Sequence, residues 1–82
     1  MRKLPPEVRE KRFARMQELG YRRRKLGMSR KTTAILMGFH ESAITSYENG
    51  TMSASPRVSG LYEKAIKEYI DKVRRLAVEW GY

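Results

Sequence analysis

Between Leu61 and Trp80, apolar residues recur at three- and four-residue steps: Leu61, Ala65, Ile66, Tyr69, Ile70, Val73, Leu76, Ala77 and Trp80. That period predicts an amphipathic helix over 61–80. No proline interrupts it, and Glu63/Lys67 and Glu68/Lys72 sit at supportive i, i+4 spacing. A looser series, Val8, Phe13, Met16 and Leu19, predicts helix from the Pro5-Pro6 pair to Lys25, the prolines suiting a first turn. Gly20 marks a candidate break in it. Residues 1–15 form a basic N-terminal extension, read either as an arm or as an extra helix. After Gly50 the run TMSASPRVSG, rich in Ser, Gly and Pro, predicts a loop with a helical turn at 57–60. No strand alternation and no internal repeat is visible.

The most informative stretch is GMSRKTTAILMGFHESAITSYENG, residues 27–50. Ser29 suits an N-cap, its hydroxyl accepting from an orphaned backbone N–H of the first turn. A short helix to Met37 follows, then Gly38, suited to a left-handed backbone. A second short helix starts near His40 and stops at Asn49-Gly50. This pattern turns Ala34, Met37, Phe39, Ile44 and Tyr47 inward. It leaves Glu41, Ser42, Thr45, Ser46 and Asn49 outward on the second helix. A short helix bearing small hydrogen-bonding side chains is what the DNA major groove admits and reads.

Charge sharpens this picture. The net charge is +9, and residues 1–31 carry 12 Lys or Arg against three Glu, whereas residues 32–82 carry six against six. The excess lies before and just inside the first short helix, which calls for a polyanionic partner. With 82 residues the chain is read as one domain with one small core. It has no cysteine, so disulfides and thiolate metal sites are excluded, and the one histidine, His40, builds no zinc site alone. No apolar run approaches the ~20 residues of a membrane span, and the charged start lacks a signal-peptide core. The expectation is a cytoplasmic protein without cofactor, metal or small-molecule substrate. No nucleophile–base pair is present, so an enzyme is not expected.

With Leu19, Arg23, Gly27, Ser29, Ala34, Gly38, Ile44, Glu48, Asn49 and Gly50 in register, residues 16–66 resemble the phage repressor/Cro-type helix-turn-helix family. The resemblance implies an all-α bundle of four or five helices of the lambda-repressor-like type. Residues 29–37 would be the supporting helix and 40–49 the recognition helix in the major groove. It also implies a homodimer on a pseudo-palindromic operator of double-stranded DNA, in a bacterial or phage-infected cell. Residue by residue, Arg30 falls at a phosphate contact that often braces the recognition helix. Glu41, Ser42, Thr45 and Ser46 fall on the base-reading face, and Asn49 at a phosphate contact. Arg23 and Glu48 match an ion pair between the first and third helices. Three departures stand out: Thr33 replaces the usual Leu, Arg30 the usual Gln, and the proline after the recognition helix comes late, at Pro56.

Several residues carry competing readings. Lys31 joins Arg30 as a phosphate contact or is a solvated charge. His40 caps or borders the recognition helix, within reach of a phosphate. A carboxylate at Glu41 repels phosphate, so it needs a cytosine N4 donor or a cation, and Arg30 is the candidate cation. The plainer role for Glu41 is to favour the positive end of its helix. Arg22, Arg24 and Lys25, with Arg9, Arg12 and Arg15 before them, either grip DNA backbone or face solvent. The distal half of the C-terminal helix, with Val73, Leu76 and Trp80, either pairs with a second subunit or folds back on its own domain. Two other functions stay open: an antitoxin- or antirepressor-type protein-interaction module on the same scaffold, and a general nucleic-acid binder. The missing exposed aromatics near the basic run disfavour the second.

Overall fold

The computed structural model describes residues 4–80. Its first helix, α1, spans Pro6–Lys25. Pro6 enters at a position where an N–H would have no helical partner, and four basic residues, Arg22 to Lys25, complement the C-terminal dipole. The part of the basic extension from Pro6 onward is therefore helix, not arm, and residues 1–3 lie outside the described residues. Gly20 is no break. It is buried inside continuous helix, and a Cβ there would lie 3.4 Å from the Glu48 Cδ, so its bareness lets α1 approach the third helix closely.

The second helix, α2, covers Arg30–Met37. Ser29 caps it, its Oγ accepting from the Thr32 N–H at 3.0 Å. Gly38 ends it with φ +74°, while Phe39 N–H donates to Ala34 O (2.9 Å) and Gly38 N–H to Ile35 O (3.2 Å). These two bonds are the paired closure of a Schellman cap, with Phe39 packed on the core as its apolar contact. That cap sets the tight turn into α3, Glu41–Asn49, which Gly50 stops in the same left-handed conformation at φ +81°.

The fourth helix, α4, runs Pro56–Glu79 and starts five residues before the position the apolar period predicts. Ser55 and Pro56 act as N-cap and first-turn residue: the Ser55 Oγ accepts from the Val58 N–H at 3.3 Å. Residues that read as loop are start signals here.

The core forms where the four helices meet, from Met16, Leu19, Met28, Ala34, Ile44, Ala54, Tyr62, Ala65 and Ile66. Met37, Phe39 and Tyr47 pack half-buried around it. Phe13 does not join the core; it is 41% exposed, with its ring against Gly50. The fully buried Thr33 hydroxyl donates to Ser29 O at 2.9 Å, so the polar substitute for leucine satisfies itself within its own helix turn. The fold is all-helical, 52 × 21 × 17 Å, with the distal end of α4 outside the bundle.

Candidate nucleic-acid interface

The α3 helix divides cleanly into two faces. Ile44 and Glu48, one turn apart, are buried, and Tyr47 is half-buried beside them. On the opposite face Glu41, Ser42 and Asn49 are exposed, and Thr45 and Ser46 are half-buried. The Thr45 hydroxyl donates to the Glu41 carbonyl at 3.3 Å, within the helix. His40 occupies the N-cap position, but its side chain makes no capping bond and is exposed.

What holds this helix is a charged knot under its inner face. Arg23 grips the Glu48 carboxylate with two bonds, Nε to Oε2 and Nη2 to Oε1, each 3.0 Å. A third bond runs from Arg23 Nη1 to Met28 O at 2.9 Å, and the Tyr62 hydroxyl donates to Glu48 Oε2. Arg30 Nε completes the shell at 3.1 Å from Oε1. No buried side-chain nitrogen or oxygen among the described residues lacks a hydrogen-bond partner. Such a bidentate, fully satisfied ion pair specifies geometry more than it adds stability. The knot ties α1, α2, α3 and α4 at one carboxylate. Burial pushes the Glu48 carboxyl up, but the bonds from Arg23 and Tyr62, with the Arg23 charge, outweigh it and hold it below the usual carboxylate range. Burial and the neighbouring Glu48 push the Tyr62 hydroxyl well above its ordinary value.

Arg30 therefore pairs with Glu48, not Glu41. Its reach toward α3 is real, but the buried acid offers two fixed oxygens at the crossing, whereas Glu41 lies in water at the helix start. With Nε committed and the side chain 39% exposed, the two terminal nitrogens of Arg30 stay available beside α3. Lys31 is exposed on the first turn of α2.

The remaining basic residues are sorted by the face of α1 they occupy. Arg24 lies at the α1–α3 crossing, its Nη1 near the same point above Gly20 that Glu48 approaches. Arg9 and Arg12 line a cleft with Gly50–Ala54, the loop leaving α3. Arg22 instead pairs with Glu18 at 2.9 Å and lines a groove against α4, while Arg15 is tied to Glu63. Lys25 stands over the Tyr21 ring, 5.4 Å from its centroid. Tyr21 itself is exposed, so an exposed aromatic does adjoin the basic run, contrary to the expectation from the sequence. Around α3, Arg30 and Lys31 thus belong to the preceding helix, Arg24 to the α1–α3 crossing, and Arg9 and Arg12 to the cleft at the loop beyond its C-terminus.

Two contributors were not identified from the sequence. Tyr62, not its neighbour Leu61, is the fully buried residue of the pair, one turn before Ile66. Gln17, whose Nε2 donates to Glu48 O at 3.0 Å, also braces the end of α3 and carries no sequence signal of its own.

No helix among the described residues is long and apolar enough to cross a membrane. The helix-turn-helix family, of the Cro/C1 type, matches over residues 19–73, more than half of the chain. The chain belongs to that family, and is a DNA-binding transcription regulator of its kind. No curated protein and no solved structure matched in the comparisons.

Proposed function

We propose that this protein is a sequence-specific regulator that lays α3 in the major groove of an operator, as a homodimer on two half-sites. The observation that carries the reading is the two-faced α3. Its buried face is locked through Glu48 to the rest of the fold, and its outer face offers Ser42, Thr45 and Ser46 as donors and acceptors for base edges. In this reading Glu41 reads a cytosine N4 donor. Arg30, Lys31, Arg24, His40 and Asn49 hold phosphates, since positive groups around the helix fix its register without reading sequence. Arg9 and Arg12 join them, being beside the loop that leaves α3. This reading leaves Arg22 out of the set, because it pairs with Glu18 and lines the groove against α4. Regulation follows from occupancy, by blocking or recruiting polymerase.

Selection of bound sequences from randomised duplex DNA, at near-physiological salt, tests this directly. A two-fold symmetric motif is expected. Binding without any preferred duplex would refute it. Within the selected motif, Ser46→Ala or Ser42→Ala is expected to relax preference at single positions, by about 1–3 kcal/mol where a base contact is lost.

A further inference from the structure

The seam of α4 continues beyond the bundle without changing step. Tyr62, Ile66, Tyr69, Val73, Leu76 and Trp80 follow each other at four- and three-residue intervals, the spacing of a coiled-coil seam. Tyr62 and Ile66 are roofed by the bundle, and Tyr69 is half-buried. Beyond them Val73, Leu76 and Trp80 are 47%, 51% and 72% exposed. They line an open apolar groove with Ala77. Three large apolar side chains in one row on a projecting helix form a patch that calls for a partner.

We infer that the partner is a second copy of this chain, packed antiparallel along residues 69–80. This rests on the dimeric reading above and adds its orientation and register. The sequence of this face is complementary to itself in one alignment. With Val73 against the partner's Leu76, two-fold symmetry also sets Tyr69 against the partner's Trp80. On one flank Lys72 then meets the partner's Glu79, twice by symmetry, and on the other Ile70 meets the partner's Ala77. Charges flanking a seam set orientation and register in this way. A one-residue shift, with Ile70 and Ala77 in the seam, brings Arg74 against the partner's Arg74. A parallel pair sets Lys72 against Ala77 and crowds the two cationic bundles together.

The antiparallel pair keeps those bundles at opposite ends. The roofed segments, each centred near residue 64, come to lie about 21 residue rises apart, ~32 Å along the axis. That is close to the ~34 Å between successive turns of one DNA face. The groove lined by Tyr21, Leu26, Ile66 and Ile70 opens where the partner's helix end arrives. The two apolar surfaces are thereby continuous.

Charge reversal tests the register on the full chain. Sedimentation velocity over a concentration series, with helicity and Tm as folding controls, is expected to show a reversible dimer. Lys72→Glu or Glu79→Lys alone sets like charges together and is expected to weaken association about tenfold. The double reversal K72E/E79K is expected to restore it. A monomer at every concentration, both free and on a two-site operator, overturns the inference. So does dimerisation indifferent to the single reversals, or a different protein occupying the face. Binding of each variant to a single half-site is measured alongside. Intact half-site binding with no dimer sinks only the pairing, whereas dimers with no duplex preference sink the proposed function.

Discussion

At the scale of residues, Glu48 is the point on which the arrangement of α3 depends. It accepts from three side chains on three other helices while only 4% of its side chain is exposed. Truncating it strands the Arg23 guanidinium in the core. Glu48→Ala is expected to cost about 3–5 kcal/mol, read as a fall in Tm. Tyr62→Phe, which leaves both arginines in place, is expected to cost only about 1–2 kcal/mol. The same knot sets a pH window. The Glu48 carboxyl is held below its ordinary value of 4.5, so its contribution is complete above that pH and disappears as pH falls through the lower folded value. The Tyr62 proton is held above its ordinary 10.0, so that contribution is complete below pH 10 and declines as pH rises beyond it. Equilibrium unfolding across pH is expected to show both losses, and Glu48→Ala to flatten the acid one. Glycine positions separate two further costs. Gly38 and Gly50 both have positive φ, but a Cβ at Gly38 meets open space whereas one at Gly50 lies 2.9 Å from the Phe13 ring. Gly38→Ala is expected to cost about 1 kcal/mol of backbone strain, and Gly50→Ala measurably more in the same Tm assay.

At the scale of elements, the short central helices were legible because their signals are local. Ser29, Gly38 and Gly50 each act within a turn of where they stand, and the structure places the ends of α2 and α3 at those residues. The start of α4 was not legible. Ser55, Pro56 and Gly60 are all turn-formers in general, and only hydrogen-bonding context distinguishes a cap from a loop. The knot was half legible: the family resemblance implied the pairing of Arg23 and Glu48, but Tyr62 and Gln17 join it through tertiary geometry alone. The resemblance brings Arg30 close to Glu41, but position does not show burial, and the buried Glu48 carboxylate takes Arg30 instead. Gly60 tests the corrected boundary. It lies exposed within α4, and a Cβ there meets nothing within 4 Å. If the helix starts at Pro56, Gly60→Ala stabilises by roughly 0.5–1 kcal/mol, and Ser55→Ala destabilises by about 1 kcal/mol. A loop at 51–60 would show neither change in Tm.

At the scale of the whole molecule, the excess charge of the first 31 residues becomes a spatial distribution, divided by the helix that carries it. Arg15 and Arg22 are spent on Glu63 and Glu18 along the α4 side, where they balance acids. Arg12 lies between the two sides, lining both the cleft at the α3 exit loop and, with Arg15, one at the start of α4. Arg9 and Arg24 stand on the side of α1 next to α3 and its exit loop, and Arg30 and Lys31 are on the supporting helix. If that side holds the duplex, the two groups respond differently to neutralisation. Each phosphate contact releases condensed counterions and contributes about −0.9 to the slope of log affinity against log salt. Lys31→Ala is therefore expected to make the slope shallower by about 0.9 per subunit while leaving the selected sequence unchanged, because a phosphate contact reads no base. Arg22→Ala is expected to leave the slope nearly as it was, since its charge is directed to Glu18 and away from α3. A titration series from 50 to 300 mM salt on the selected operator separates the two. Equal loss of slope from both variants would mean that the cationic surface acts as an undivided cloud, and that the two sides of α1 do not sort the charge as the geometry says.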